Sequence, residues 1–102
     1  MTLVLSGEIV EGREDDFVAL AKRAMELTPE GVDGCISYKL HLSSDRRRMM
    51  LFEQWADGGS VDRHLAILVA ELGDPPPGKL LPAAWEECMV SFDAEVWDYL
   101  GE

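Results

Sequence analysis

Two side chains in this sequence are equipped to act on an aromatic molecule, and they lie nine residues apart: Trp55 and His64. An indole offers a flat apolar face on which another ring can stack. An imidazole has the ordinary pKa closest to neutrality, so it suits the removal of a phenolic proton at physiological pH. Each of the two residues also has a plainer structural use. A tryptophan can pack a sheet against a helix, and a histidine at a helix border can bond to backbone or solvent. Glu53 alternates with apolar neighbours, so an inward carboxylate there needs a partner; Arg48 or Lys39 is expected to supply a structural ion pair. The run Arg46-Arg47-Arg48 is expected at a solvated hairpin tip, and His41 on the polar face of a strand.

The elements that must position Trp55 and His64 span Leu51 to Leu68. Leu51, Glu53 and Trp55 alternate with Phe52 and Gln54, the period of a strand. Asp57-Gly58-Gly59 is read as a turn, with Ser60 as the N-cap of the helix that follows. Val61, His64, Leu65, Leu68 and Leu72 recur at spacings of three and four, which puts His64 on the apolar stripe of that helix. Gly73 and Pro75-Pro76-Pro77 end it.

The rest of the chain supplies three more strands and a second helix. Thr2 to Val10 reads as a strand with Leu3, Leu5 and Ile9 on one face. Glu14, Asp15 and Asp16 favour the positive end of a helix that carries Phe17, Leu20, Ala21, Ala24, Met25 and Thr28 at helical spacing and stops at Pro29. Cys35 to Ser43 reads as a strand with Ile36, Tyr38, Leu40 and Leu42 on its apolar face. Arg48 to Ala56 is the third strand; its run Met49-Met50-Leu51-Phe52 makes both faces apolar, as burial on both sides requires. Lys79 to Trp85 fits a short helical turn. Glu87 to Ala94 is read as the fourth strand, with Cys88, Val90 and Phe92 inward. This gives a domain over residues 1–94 and a tail, 95–102, whose Trp97, Tyr99 and Leu100 are expected to dock on a partner subunit or to close a pocket.

One hundred and two residues make one domain, and 20 acidic against 9 basic residues give a formal charge of -11. A phosphate backbone needs a basic face, so nucleic acid is not an expected partner. The N-terminus offers only Leu3-Val4-Leu5 before the charges begin, so neither a signal peptide nor a membrane-spanning helix is expected, and a cytoplasmic protein is the reading. Cys35 and Cys88 fall within apolar patterns, where a free thiol acts as a small hydrophobe. The chain has no Gly-rich phosphate loop, no G-x-S-x-G, no HExxH and no CxxC, and its scattered His and Cys do not form a zinc pattern.

The order β-α-β-β-α-β predicts an α+β fold: a ferredoxin-like antiparallel sheet with the first and third strands central. Two helices cover one face of such a sheet. The apolar residues on the other face call for a second copy, so we expect a homodimer with sheets packed face to face.

Phe52-Glu53-x-Trp55, a short Gly-containing turn and His64 nine residues after Trp55 resemble the antibiotic biosynthesis monooxygenase domain, as do Gly12 before an acidic helix start and Gly34-Cys35 with Tyr38 opening the second strand. The resemblance covers roughly residues 2 to 94. It implies a dimeric α+β barrel. For activity it implies oxygenation of a quinol-, anthrone- or polyketide-like aromatic without metal or flavin, dioxygen being the co-substrate. Haem-degrading members of the superfamily place an Asn on the first strand and a ligand His beyond the second helix. Leu5 and Asp74 stand about there in this chain, which contains no Asn, so haem degradation is not expected.

The expected site therefore comprises His64 as proton acceptor and Trp55 as stacking wall, with Tyr38, Phe52, Leu5 and Leu68 contacting a small aromatic molecule. The alternatives are a binding module that holds a small hydrophobic ligand without turning it over, and a purely structural dimerisation domain.

Overall fold

The structure, a computed structural model, describes residues 1–101, so Glu102 of the expected tail lies outside the described residues. Four strands form one antiparallel sheet: β1 (Thr2–Glu8), β2 (Cys35–Leu42), β3 (Arg48–Trp55) and β4 (Asp93–Trp97), in the order β2-β3-β1-β4. Three helices accompany it: α1 (Glu14–Glu26), α2 (Gly58–Leu72) and the short α3 (Ala83–Glu86). This is the ferredoxin-like α+β fold, with β1 and β3 central as the patterning predicts.

Strand alternation decides which side chains meet the helices. Along β3, Met49, Leu51, Glu53 and Trp55 are buried, while Arg48 and Met50 are exposed and Phe52 and Gln54 half-buried. Leu5 opposite Leu51, and Tyr38 opposite Glu53, extend the buried face across β1 and β2. Phe17, Leu20, Ala21 and Ala24 of α1 and Leu68 of α2 complete one hydrophobic core on that face, joined by Leu81, Trp85 and Cys88. The acidic first turn of α1 meets the positive end of its dipole, as expected.

Four local expectations are corrected. In β2 the pairing register shifts between Cys35 and Ser37. This bulge turns Ile36 outward, 59% exposed, and buries Cys35, so Ile36 does not share the face of Tyr38. The helix cap is Asp57 rather than Ser60: its Oδ1 accepts from the Ser60 backbone N–H at 2.8 Å, and Gly58-Gly59 form the first helical turn. Ser60 is instead buried against Gly34, whose positive φ and close approach to the Ser60 side chain leave no room for a Cβ. That approach ties the start of β2 to the start of α2.

The third correction concerns the last strand. It begins at Asp93, not Glu87. The N–H groups of Cys88 and Met89 still bond three residues back, to Trp85 and Glu86, so the chain stays coiled through Met89. Cys88 is buried by that coil, whereas Val90 faces outward. A boundary at residue 94 consequently falls inside β4, and Glu95, Val96 and Trp97 belong to the sheet. Finally, Glu53 pairs with neither Arg48 nor Lys39. Lys39 reaches Glu30 at 3.1 Å, and the Glu53 carboxylate is engaged within the core.

Candidate functional site

His64 reaches the sheet from the second turn of α2, on the same stripe as Leu68. Its ring centroid lies 4.9 Å from that of Trp55, tilted by 35°, and 4.9 Å from that of Tyr38, edge to face. Tyr38 and Trp55 meet at 6.5 Å, so the three rings form one cluster on the inner face of β2 and β3. Strand period places Glu53 beside them. Trp55 Nε1–H donates to Glu53 Oε1 at 2.9 Å, two residues apart on one strand face. Thr28, just beyond α1, approaches from the other side: its Oγ1 lies 3.1 Å from His64 Nδ1 and 2.7 Å from the Ala24 carbonyl oxygen.

Burial sets the electrostatics of this cluster. Removal from water lowers the His64 pKa to about 4, so the imidazole is neutral at pH 7. Burial raises the Glu53 carboxyl above its ordinary value, partly offset by the Trp55 hydrogen bond to its charged form. Burial, reinforced by the charge of Glu53, pushes the Tyr38 phenol well above 10. The Tyr38 hydroxyl and the Trp85 indole N–H are buried with no hydrogen-bond partner among the described residues.

A cavity of about 200 Å³ opens between this face and α2. Leu3, Leu5 and Leu51 line its floor, and Leu65, Leu68, Leu81 and Trp85 its remaining walls. His64, Glu53 and Tyr38 bring the ionisable groups to it. A second cavity of about 260 Å³ lies between the loop before β2 and α2, lined by Thr28, Cys35, Trp55, Ser60, His64 and Ile67 among others. His64 is the one lining residue the two share, so its ring is the partition between them. A larger recess of about 1010 Å³, lined by Ser43, Arg47, Arg48 and Asp93, sits by the β2–β3 hairpin, at the opposite end of β3 from Trp55. None of the clustered residues lines it.

The structure thus brings together His64, Tyr38, Leu5 and Leu68 around the apolar chamber. Trp55 stands behind them, stacked on His64 and only 2% exposed, lining the second cavity rather than the chamber. Phe52 is separated from all of these. It alternates with Leu51 and Glu53 and pairs with Val4 and Lys39, so its side chain lies on the opposite face of the sheet. Sequence reasoning did not single out Thr28 or Trp85 for the site. Thr28 was visible only as the last residue of the α1 stripe. Trp85 sits in a four-residue helix, too short to show a face of its own.

The family model described as antibiotic biosynthesis monooxygenase matches residues 2–66, more than half of the chain. Among solved structures, a protein from Shewanella oneidensis is 26% identical, over 92% of this chain and 84% of its own, with a TM-score of 0.69. A Bacteroides thetaiotaomicron protein described as a candidate antibiotic biosynthesis monooxygenase shares the fold at a TM-score of 0.75 and 16% identity, covering 98% and 89% of the two chains. A Mycobacterium tuberculosis protein matches at 0.70 and 19% identity, over 99% and 95%. No protein of curated function matches the chain.

Proposed function

The chain belongs to the antibiotic biosynthesis monooxygenase family, and from that premise we propose that it is a cofactor-independent monooxygenase of a small phenolic aromatic. One observation carries the proposal: a neutral imidazole and a buried carboxyl stand at the wall of an otherwise apolar chamber. A phenol seated there donates its O–H to His64, which at pH 7 is unprotonated and free to accept. Proton transfer leaves a phenolate beside an imidazolium, and the low dielectric strengthens their attraction. The phenolate, conjugated to a methylene, supplies electrons to dioxygen. In balance, the methylene and O₂ become a carbonyl and water, with all four electrons coming from the substrate. The phenol is the enol tautomer of the methylene compound, so its O–H proton is one of the two methylene hydrogens. The imidazolium passes it to the peroxide formed on that carbon, takes the second hydrogen as a proton when the O–O bond breaks, and delivers it to the departing hydroxide to make the water. Trp55 acts as the stacking support of His64.

Size narrows the substrate. A cavity of about 150 Å³ holds benzene, so about 200 Å³ favours one ring with substituents, or two fused rings. The test is oxygen uptake with a model quinol or bicyclic anthrone analogue in the presence of a chelator. His64→Ala is expected to lower kcat by about 10²–10⁴, the usual worth of a general base. Full activity in that variant removes His64 from the mechanism. Holding a ligand without turnover is the second reading. It is favoured by the low basicity of His64, which makes it a better hydrogen-bond acceptor than proton store; saturable binding with no oxygen uptake would establish it.

We also propose that a second copy covers the outer sheet face, where Val4, Met50, Phe52 and Trp97 lie among polar neighbours. Residues after β4, with Tyr99 and Leu100 exposed, would then dock on the partner. Phe52→Asp is expected to turn a dimer into a monomer by sedimentation. Two buried free thiols support a reducing, cytoplasmic setting. Among the described residues no helix is long and apolar enough to cross a membrane.

A further inference from the structure

We infer that Thr28 is a positioning residue: it holds His64 in the tautomer protonated on Nδ1, which leaves Nε2 as the only ring nitrogen able to accept a proton. A threonine hydroxyl carries one proton and can donate once. Two acceptors compete for it, the Ala24 carbonyl at 2.7 Å and His64 Nδ1 at 3.1 Å. Among the described residues the Ala24 carbonyl has no other donor. At the end of α1 the Leu27 N–H bonds to Arg23 and the Thr28 N–H bonds to Met25, so the backbone passes Ala24 by. Ala24 is fully buried, so water does not serve its carbonyl either. A carbonyl can only accept; the hydroxyl proton must therefore go to it. The Thr28 oxygen is left as an acceptor, and the 3.1 Å contact then requires a proton on Nδ1.

An exposed histidine in water prefers the opposite tautomer, with the proton on Nε2. In that form the nitrogen left free would be the one facing Thr28, and a bound phenol would meet a donor instead of a base. The helix end thus selects which nitrogen is basic, through a residue that touches no substrate.

The catalytic consequence rests on the reading of His64 as the base; the tautomer itself does not, and the two are measured separately. The full chain is labelled with ¹⁵N-histidine, and long-range ¹H–¹⁵N correlations are recorded at pH 7. His41 is exposed, and a His41→Gln variant assigns its signals. The expected result is a protonated Nδ1 and a bare Nε2 at His64. Thr28→Ser should keep that pattern, and Thr28→Val should shift the proton to Nε2. A wild-type proton on Nε2 overturns the inference, as does an unchanged tautomer in folded Thr28→Val. If Thr28→Val does not fold, the wild-type and Thr28→Ser spectra still decide it. In the oxygen-uptake assay, Thr28→Val should lose about tenfold or more in kcat with KM held, and Thr28→Ser should recover it. A tautomer that moves while turnover does not leaves the assignment standing and refutes His64 as the base.

Discussion

Lowering the pH should destabilise this protein through His64, and the size of the effect follows from its burial. An unfolded histidine titrates near 6.5, whereas in the fold His64 titrates at about 4. Between these values the unfolded chain binds more protons than the native one, so stability rises with pH. The contribution is complete above pH 6.5 and is lost as the pH falls toward 4. At about 1.4 kcal/mol for each unit, the full difference amounts to about 3 kcal/mol, of which about 2 kcal/mol is spent between pH 7 and pH 5. That is a large share of the 5–15 kcal/mol typical of a domain. Glu53 works in the other direction: its raised carboxyl takes up a proton more readily in the fold, which favours the native state as the pH falls. The comparison with a His64→Gln variant removes this background. Urea unfolding of both proteins at one protein concentration, from pH 7.5 to 4.5, should show the wild type losing about 2 kcal/mol more than the variant by pH 5. A flat difference curve, or one in which wild type gains on acidification, would refute the assignment of a buried neutral imidazole.

Three further outcomes follow from the same geometry. Glu53→Gln keeps an acceptor for Trp55 Nε1 and removes a buried charge, so its melting temperature at pH 8 should match or exceed wild type, with the gap closing as the pH falls. Trp55→Phe keeps the ring but deletes the donor to Glu53, leaving that carboxyl without its hydrogen bond; a loss of about 1–3 kcal/mol in chemical denaturation is expected. Leu68→Phe fills part of the 200 Å³ chamber, and the variant should fold yet lose the ligand-induced rise in melting temperature that wild type shows with a small phenol.

Much of this arrangement could be read along the chain, because it depends on local repeats. The period of two in Leu51-Phe52-Glu53-Gln54-Trp55 fixes that Glu53 and Trp55 share a face, and the spacing of His64 and Leu68 fixes that both lie on one helical stripe. By the same rule Phe52 was bound to point away from them. Placing it with the site contradicted the alternation, and the structure corrects this. The strand order also followed from element order, since short connections leave few topologies open.

Other features had no local signal. The bulge at Cys35–Ser37 shifts the faces of β2, yet Cys-Ile-Ser alternates no differently from a regular strand. The beginning of β4 was hidden because Cys88, Val90 and Phe92 mimic strand spacing while the backbone around Cys88 and Met89 is still coiled. Every residue of Asp93 to Trp97 is exposed on a sheet edge, and five residues are too few to announce a strand against the stronger pattern before them.

In β3, α1 and α2 the sequence by itself determined which side chains turn inward, since that depends on backbone periods of two and 3.6 residues. Only the tertiary structure decided which inward side chains meet. Thr28 and His64 are 36 residues apart, and nothing in either neighbourhood specifies a hydrogen bond between them. Their contact exists because the end of α1 and the second turn of α2 are packed on the same sheet face, and packing of that kind is a property of the whole core.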